Sequence, residues 1–459
     1  MIAAVARAVL ASRGAWWAPA LLAALASLLI GVCFVQVTAS GGDEYRRIVE
    51  SSGLSLEDIE AVGLSITMII VPTATVVLAV VNSAAVGQLT GDLSRWRLIG
   101  TAPTTLSALV LAQLLLAVGA GAAVGAVCTF LVGGLLARIL NAMLLPELGG
   151  LTVQPTAGAL AGALLLPIGI AVVAGIPGAV RAARVPALRT IRDSEAAPPR
   201  TGARHWVGSG LGLMGLGVAA GAAFRSPGNL DDGGALTVGL GLGLLVLVVA
   251  GIGARVLVPG LVLSWTAVLP FRDAVWVLAR AGAVARARSS GAAVVALACG
   301  TGMLGTLTGM ARTTEAIARA SGPARQFNLL DTYVICGALG VLCAVGGACV
   351  IALGALDRRR ETALLRAAGC SPRQVLLHAA CEALILTVSS LLVALAATAA
   401  AIATVVRAAA ADDLPLRLVL PIAELGISGV VMFLVLLGAL LIPASRALRT
   451  SVRTSLGAA

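Results

Sequence analysis

Apolar stretches long enough to cross a bilayer recur ten times along this chain, and that recurrence fixes most of what it can fold into. A helix needs about 20 apolar residues to cross the hydrocarbon core, where every backbone amide has to be satisfied inside the segment. The stretches run over about 15–38, 62–87, 104–136, 157–180, 206–224, 236–259, 290–311, 331–356, 375–405 and 418–444. The expected fold class is therefore all-α, a polytopic membrane protein with ten transmembrane helices. Hydrophobic residues make up 59% of the 459 and charged ones 12%, with a mean hydropathy of +1.02, which lies outside the range of ordinary soluble domains.

Charge sorts between the two faces. All 32 basic residues are Arg, and Lys does not occur. With the first residues inside, 23 Arg fall on the inner face and nine on the outer one, while 13 of the 21 acids lie outside. The positive-inside rule then expects a multi-pass protein of the cell membrane with both termini cytoplasmic. An odd number of spans would scramble this sorting. The basic excess reads as a membrane-facing asymmetry in contact with lipid, so no nucleic-acid partner is expected. Met1 to Gly14 reads as an interfacial helix ahead of the first span, not as a cleaved signal.

Several chemistries are excluded by residues that are missing. A phosphate loop of the G-x-x-x-x-G-K-[ST] type requires a Lys, so any nucleotide that drives this protein binds to another chain. The eight Cys show no C-x-x-C spacing and read as small packing residues, and the two His are far apart. No metal site, catalytic residue or enzyme activity is expected. Gly208 and Gly212 form a G-x-x-x-G in the fifth span, which chance explains as well as a close helix contact does.

The chain also repeats itself. Shifted by 269 residues, Arg366 falls on Arg97, Gly369 on Gly100, Pro372 on Pro103, Glu382 on Gln113 and Glu361 on Asp92. Shifted by 273, Arg280 and Arg286 fall on Arg7 and Arg13. Residues 1–195 and 263–459 are thus expected to be two copies of one four-helix unit, with 196–262 an inserted helix pair. The first copy keeps length and register but lacks the triple Arg. Between the first two spans, Ser55 and Asp58 suggest the start of a short external helix.

The most informative stretch runs from Asp357 to Thr387, D-R-R-R-E-T-A-L-L-R-A-A-G-C-S-P-R-Q-V-L-L-H-A-A-C-E-A-L-I-L-T. Its order predicts a short charged helix, a stop at Gly369 and a restart at Ser371-Pro372, where Pro fits the first turn. It resembles the signature of the FtsX/MacB-like permease family (the type VII ABC transporters), in which R-R-R-E-x-A-L-L-R-A-x-G-x-S-x-R-Q-V leads into a span carrying Glu-Ala. The ten-span layout is similar to the BceB-like, bacitracin-resistance branch, without the large external domain that many members carry after span 1 or span 7.

The resemblance implies a permease subunit that binds no cofactor of its own and couples to a separate ABC ATPase, which holds ATP and Mg. It implies two FtsX-like repeats and mechanical work at the outer leaflet, and it allows an extracellular or sensor-kinase partner. The ATPase-coupling residues it indicates are Arg358, Arg359, Arg360, Glu361, Arg366, Gly369, Ser371, Pro372 and Arg373, with Arg95, Arg97, Gly100 and Pro103 at the matched places of the first copy. Two such segments in one polypeptide lead to the expectation of two ATPase copies per permease. Export or removal of an amphiphilic compound, such as a peptide antibiotic or lipid, is the function expected, and antibiotic resistance the setting.

Glu382 and Gln113 are the intramembrane polar residues. An ionisable group inside a span invites a functional reading. A proton relay needs several such groups in line, however, and Gln113 cannot titrate, so Glu382 reads as a structural polar contact. That weighs against the alternative of a proton- or ion-coupled secondary transporter. A second alternative is a non-transporting FtsX-like regulator of an extracellular partner. That branch has four spans, and the duplication argues against it. Cysteine reporters at Asp43 and Asp231 are expected to label from outside, and reporters at Ser194 and Ser455 only after permeabilisation. Outside labelling at Ser455 would break the ten-span topology.

Overall fold

The computed structural model describes residues 13–40, 56–89, 101–144, 153–183, 203–228, 234–269, 273–321 and 330–449, with a few isolated residues between them. Eleven helices account for nearly all of this, and no strand occurs among the described residues. In chain order they are α1 (Arg13–Ser40), α2 (Leu56–Gln88), α3 (Pro103–Leu144), α4 (Ala157–Ala183), α5 (Ala203–Arg225), α6 (Gly234–Val268), α7 (Ala274–Ser321), α8 (Leu330–Leu353), α9 (Ala355–Ala367), α10 (Pro372–Ala411) and α11 (Ile422–Arg449). All except α9 contain a stretch long and apolar enough to cross a membrane, which gives ten candidate spans. The expected all-α polytopic class and span count both hold.

The helices are longer than the apolar stretches that predicted them. The stretch at 290–311 is the middle of α7, which begins at Ala274 and ends at Ser321. Its Ala- and Arg-rich flanks favour helix while lowering local hydropathy, so a hydropathy window sees only the middle. Likewise the helix suggested near Ser55 is the start of α2, continuous with its span. Ser55 itself, and the interfacial helix at Met1 to Gly14 except for its last two residues, lie outside the described residues.

The chain divides into two compact units, residues 1–197 with 333–342, and residues 198–332 with 343–459. In the first, α1 is the central element and packs on α2, α3 and α4. Its crossing with α3 is made by small residues: a Cβ on Gly121 would lie 2.0 Å from the Ala20 carbonyl oxygen, and one on Gly125 2.3 Å from that of Ala24. Ser27 Oγ donates to the Ala122 carbonyl at 2.9 Å across the same contact. Further along, Gln36 Nε2 donates to Asn141 Oδ1, above a core of Val35, Ala137 and Ala159.

In the second unit α7 and α10 pack along their lengths, and α6 lies against both. Here too close approach depends on glycine. A Cβ on Gly239 of α6 would meet Thr404 Oγ1 at 2.5 Å and Met310 Sδ at 2.7 Å, and one on Gly305 of α7 would meet Thr398 Oγ1 at 2.4 Å. Gly243, four residues after Gly239, would put its Cβ 3.1 Å from Thr306. Gly239/Gly243 is thus a G-x-x-x-G of α6 that faces its neighbours closely. At Gly208 nothing lies within 4 Å, and Gly212 makes only an ordinary contact with Val249. Ser390 and Thr387, two buried hydroxyls on α10, bond back to Leu386 and Ala383 of their own helix, which satisfies them without leaving the span. Trp265 Nε1 on α6 donates to Ser389 Oγ on α10 at 3.0 Å. The outward surface carries large apolar side chains, among them Leu131, Val173, Val218, Ile427 and Val430, as a surface in contact with lipid hydrocarbon requires.

Replacing Gly239 with Leu is expected to destabilise the purified protein by about 1–3 kcal/mol through overpacking, whereas Gly208→Leu should be near neutral. Thermal unfolding in detergent distinguishes the two. Equal shifts would mean that α6 does not approach α7 and α10 closely.

Candidate functional site

The short helix α9 is set between two long ones by local rules that the sequence spells out. Gly354 carries the turn that separates α8 from α9, its N–H donating to the Ile351 carbonyl at 3.1 Å. At the far end Gly369 takes φ +91°, a conformation that favours glycine. Around it, the Cys370 N–H donates to the Leu365 carbonyl and the Gly369 N–H to that of Arg366, both at 3.0 Å. This paired pattern closes a helix C-terminus and satisfies its last carbonyls. Two residues on, Ser371 caps α10. Its Oγ accepts from the Gln374 N–H at 3.3 Å, its own N–H donates to Gln374 Oε1 at 2.8 Å, and Pro372 occupies the first turn. The corner Gly369-Cys370-Ser371-Pro372 therefore fixes how α9 leaves and α10 begins.

Four charges tie α9 to the helices behind it. Glu382 on α10 is buried, with its side chain 3% exposed. From α9, Arg358 Nη1 donates to both of its carboxylate oxygens at 2.8 Å. From α7, Arg286 Nη2 donates to Oε2 at 2.9 Å and Nε to Oε1 at 3.3 Å, a side-on fork. Arg286 Nη1 also reaches Glu361 on α9. Burial works against the Arg286 charge, but the carboxylates of Glu382 and Glu361 outweigh it and hold the guanidinium above its ordinary value. With two cations and two anions, the cluster carries no net formal charge. Thr362 and His378 line the same cavity, about 30 Å³, which is closed on its other side by Leu440, Pro443 and Ala444 of α11.

The opposite face of α9 points away from the bundle. Leu364 is 54% exposed, and Ala367, Ala368, Gly369, Ser371, Pro372 and Arg373 are exposed with it. Arg366 lies in the last turn, where a cation suits the helix dipole. Arg359 and Arg360 follow Arg358 on the same helix. Of the matched residues in the first copy, Arg95, Arg97 and Gly100 lie outside the described residues, while Pro103 is exposed and opens α3. Gln113 is buried on α3, 6% exposed. Among the described residues no group of three His, Cys, Asp or Glu is placed to hold a metal ion.

Sequence reasoning missed Arg286. It counted as one of many basic residues on one face, and the signal was its alignment with Arg13 in the second shift. What could not be read is that α7 extends, still helical, far enough beyond its span to place Arg286 against α9 and α10. At its other end α7 is tied again: Arg312 pairs with Glu424 of α11, and Thr313 Oγ1 accepts from the Val419 N–H at 3.3 Å.

These features define an all-α, polytopic membrane protein with a charge-braced helix between two spans. Residues 333–452, which contain that helix and both flanking spans, match the model of the FtsX-like permease C-terminal domain. With the ten membrane-length helices, the match supports a likeness to FtsX-like permeases over this C-terminal part of the chain. The matched domain supports a permease-type component of an ABC transporter; proteins with this domain generally work with an ABC ATPase and are non-catalytic subunits. No curated protein matches the chain.

Removing the Glu382 carboxylate strands the Arg358 guanidinium and leaves Arg286 with Glu361 alone. Glu382→Ala is expected to destabilise the protein by roughly 3–5 kcal/mol, read as a drop in thermal unfolding temperature. A change within experimental error would mean that the cluster does not hold these helices together.

Proposed function

We propose that the chain is the membrane subunit of an exporter in which a separate ATPase moves α9, and that the work removes an amphiphilic compound, such as a peptide antibiotic or lipid, from the outer leaflet. The observation that carries this reading is the two-sidedness of α9. Its inner face is braced by Arg286, Arg358, Glu361 and Glu382, and its outer face presents Leu364 and Ala367, continued by exposed Ala368 and by Arg373 at the start of α10. A helix built this way can take a push from a docked partner on one side and pass it to α7 and α10 on the other. The sorting of Arg to one face supports a cytoplasmic position for α9, where an ATPase would be found. With no Lys, the chain cannot form the phosphate loop itself.

The amphiphile is favoured by two features. Only 15 residues separate α1 from α2 and eight separate α7 from α8, too few for an external capture domain. The ionisable residue buried at the site, Glu382, is committed to two guanidiniums and is not placed as a proton carrier. The duplicated segment around Pro103 supports two ATPase copies on one permease chain.

Purified alone, the chain is expected to show no ATP turnover. Co-purified with a partner ABC ATPase, native mass spectrometry should find one permease with two ATPase chains. Leu364→Asp should weaken that association by roughly tenfold or more, since it charges the centre of the exposed face. Nucleotide hydrolysis by the isolated chain, a 2:2 assembly, or full association of the Leu364 variant would contradict the reading.

A further inference from the structure

We propose that α9 leaves the bundle by exchange of partners within the four-charge cluster, so that docked and released positions are both fully paired. The proposal deepens the reading above, since it says how the segment a partner would move can move at all. In the docked position the pairs cross between elements. Arg358 of α9 holds Glu382 of α10, and Glu361 of α9 holds Arg286 of α7. Arg358 and Glu361 are three residues apart on one helix, where side chains are neighbours. Arg286 already holds Glu382 in a side-on fork. When α9 moves away, it takes one cation and one anion that can pair with each other. It leaves one cation and one anion that are paired already. Neither side is left with an uncompensated charge, which is the usual obstacle to opening a buried ion pair.

Two observations support a seam that opens. Burial is graded across it: the Glu382 side chain, which stays, is 3% exposed, Arg358 is 13% exposed, and Glu361, at the outer edge, is 33% exposed. The space between α9, α10 and α11 is a cavity of about 30 Å³, room for about one water, in which Arg358, Glu361, Thr362, His378 and Glu382 line one part and apolar side chains the rest. Water can therefore reach the charges as they part. Arg286 acts as a positioning residue with two tasks, gripping α9 through Glu361 and neutralising Glu382 after α9 has gone.

Partner exchange makes a prediction that a simple clamp does not. In a simple clamp, removing either Glu361 or Arg286 deletes one tie to α9 and frees it equally. With exchange, Glu361→Gln frees α9, whereas Arg286→Gln does not, because release would then strand the buried Glu382. The test is hydrogen–deuterium exchange on the full chain in lipid nanodiscs, following residues 358–367 and 378–390. Glu361→Gln should speed exchange over 358–367 roughly three- to tenfold and leave 378–390 unchanged. Arg286→Gln should leave 358–367 at or below the wild-type rate. Where Arg286→Gln does not fold, Arg286→Lys serves, because it keeps the charge beside Glu382 but cannot span both carboxylates; it should free α9 as Glu361→Gln does. The proposal is overturned if Arg286→Gln frees α9 as much as Glu361→Gln, or if Glu361→Gln or Arg286→Lys leaves α9 unchanged. The isolated chain suffices for this measurement. The expected pattern in a protein that binds no ATPase would keep the exchange mechanism and remove the proposed coupling.

Discussion

The second unit depends on one carboxylate shared by two guanidiniums. Glu382 lies in an apolar helix, where an unpaired charge would be expensive, and it is held there because α7 and α9 each deliver an Arg to it. The consequence runs outward. α10 has to sit at the depth where Arg286 and Arg358 can reach, and α9 has to lie where Arg358 meets Glu382 and Glu361 meets Arg286. The Gly369-Cys370-Ser371-Pro372 corner has to turn the chain between them. A buried ionic group of this kind contributes position more than net stability, because desolvation offsets much of its attraction.

Small residues supply the complementary constraint. Within each unit, helices approach until glycine Cα atoms face a neighbour's backbone or hydroxyls, at Gly121 and Gly125 in the first and at Gly239, Gly243 and Gly305 in the second. In hydrocarbon no hydrophobic force drives span against span, so close packing and bonds that cross helices, such as Ser27 to Ala122 and Trp265 to Ser389, have to do so. α7 is tied by ion pairs at both ends, to Glu382 and Glu361 at one and to Glu424 at the other. It is suited to act as a strut joining the α9 end of the bundle to the opposite end.

Much of this was legible in the sequence. The ten spans follow from hydrocarbon thickness alone, and the helix stop and restart at Gly369 and Ser371-Pro372 follow from local turn chemistry. What hydropathy could not give is which residues meet. Arg286 lies outside the apolar window, and its role depends on α7 staying helical for several turns beyond it. The contact between α6 and its neighbours depends on which G-x-x-x-G faces a helix, and Gly208 and Gly239 look alike in sequence. Arg358, read from its motif as a partner-facing charge, turns inward to Glu382, and the exposed face of α9 is led by Leu364 instead. Periodicity in a helix of 13 residues did not distinguish those two faces.

The most direct measurement is the coupling energy between Arg358 and Glu382. Arg358→Met, Glu382→Gln and the double variant, each unfolded in the same detergent, form a cycle that isolates the pair from its surroundings. If α9 is held on the bundle by this charge cluster, the double variant will be less destabilised than the sum of the single ones, with a coupling of at least about 1 kcal/mol. Strict additivity would mean that Arg358 and Glu382 act independently, and that α9 rests on the bundle by apolar contact alone.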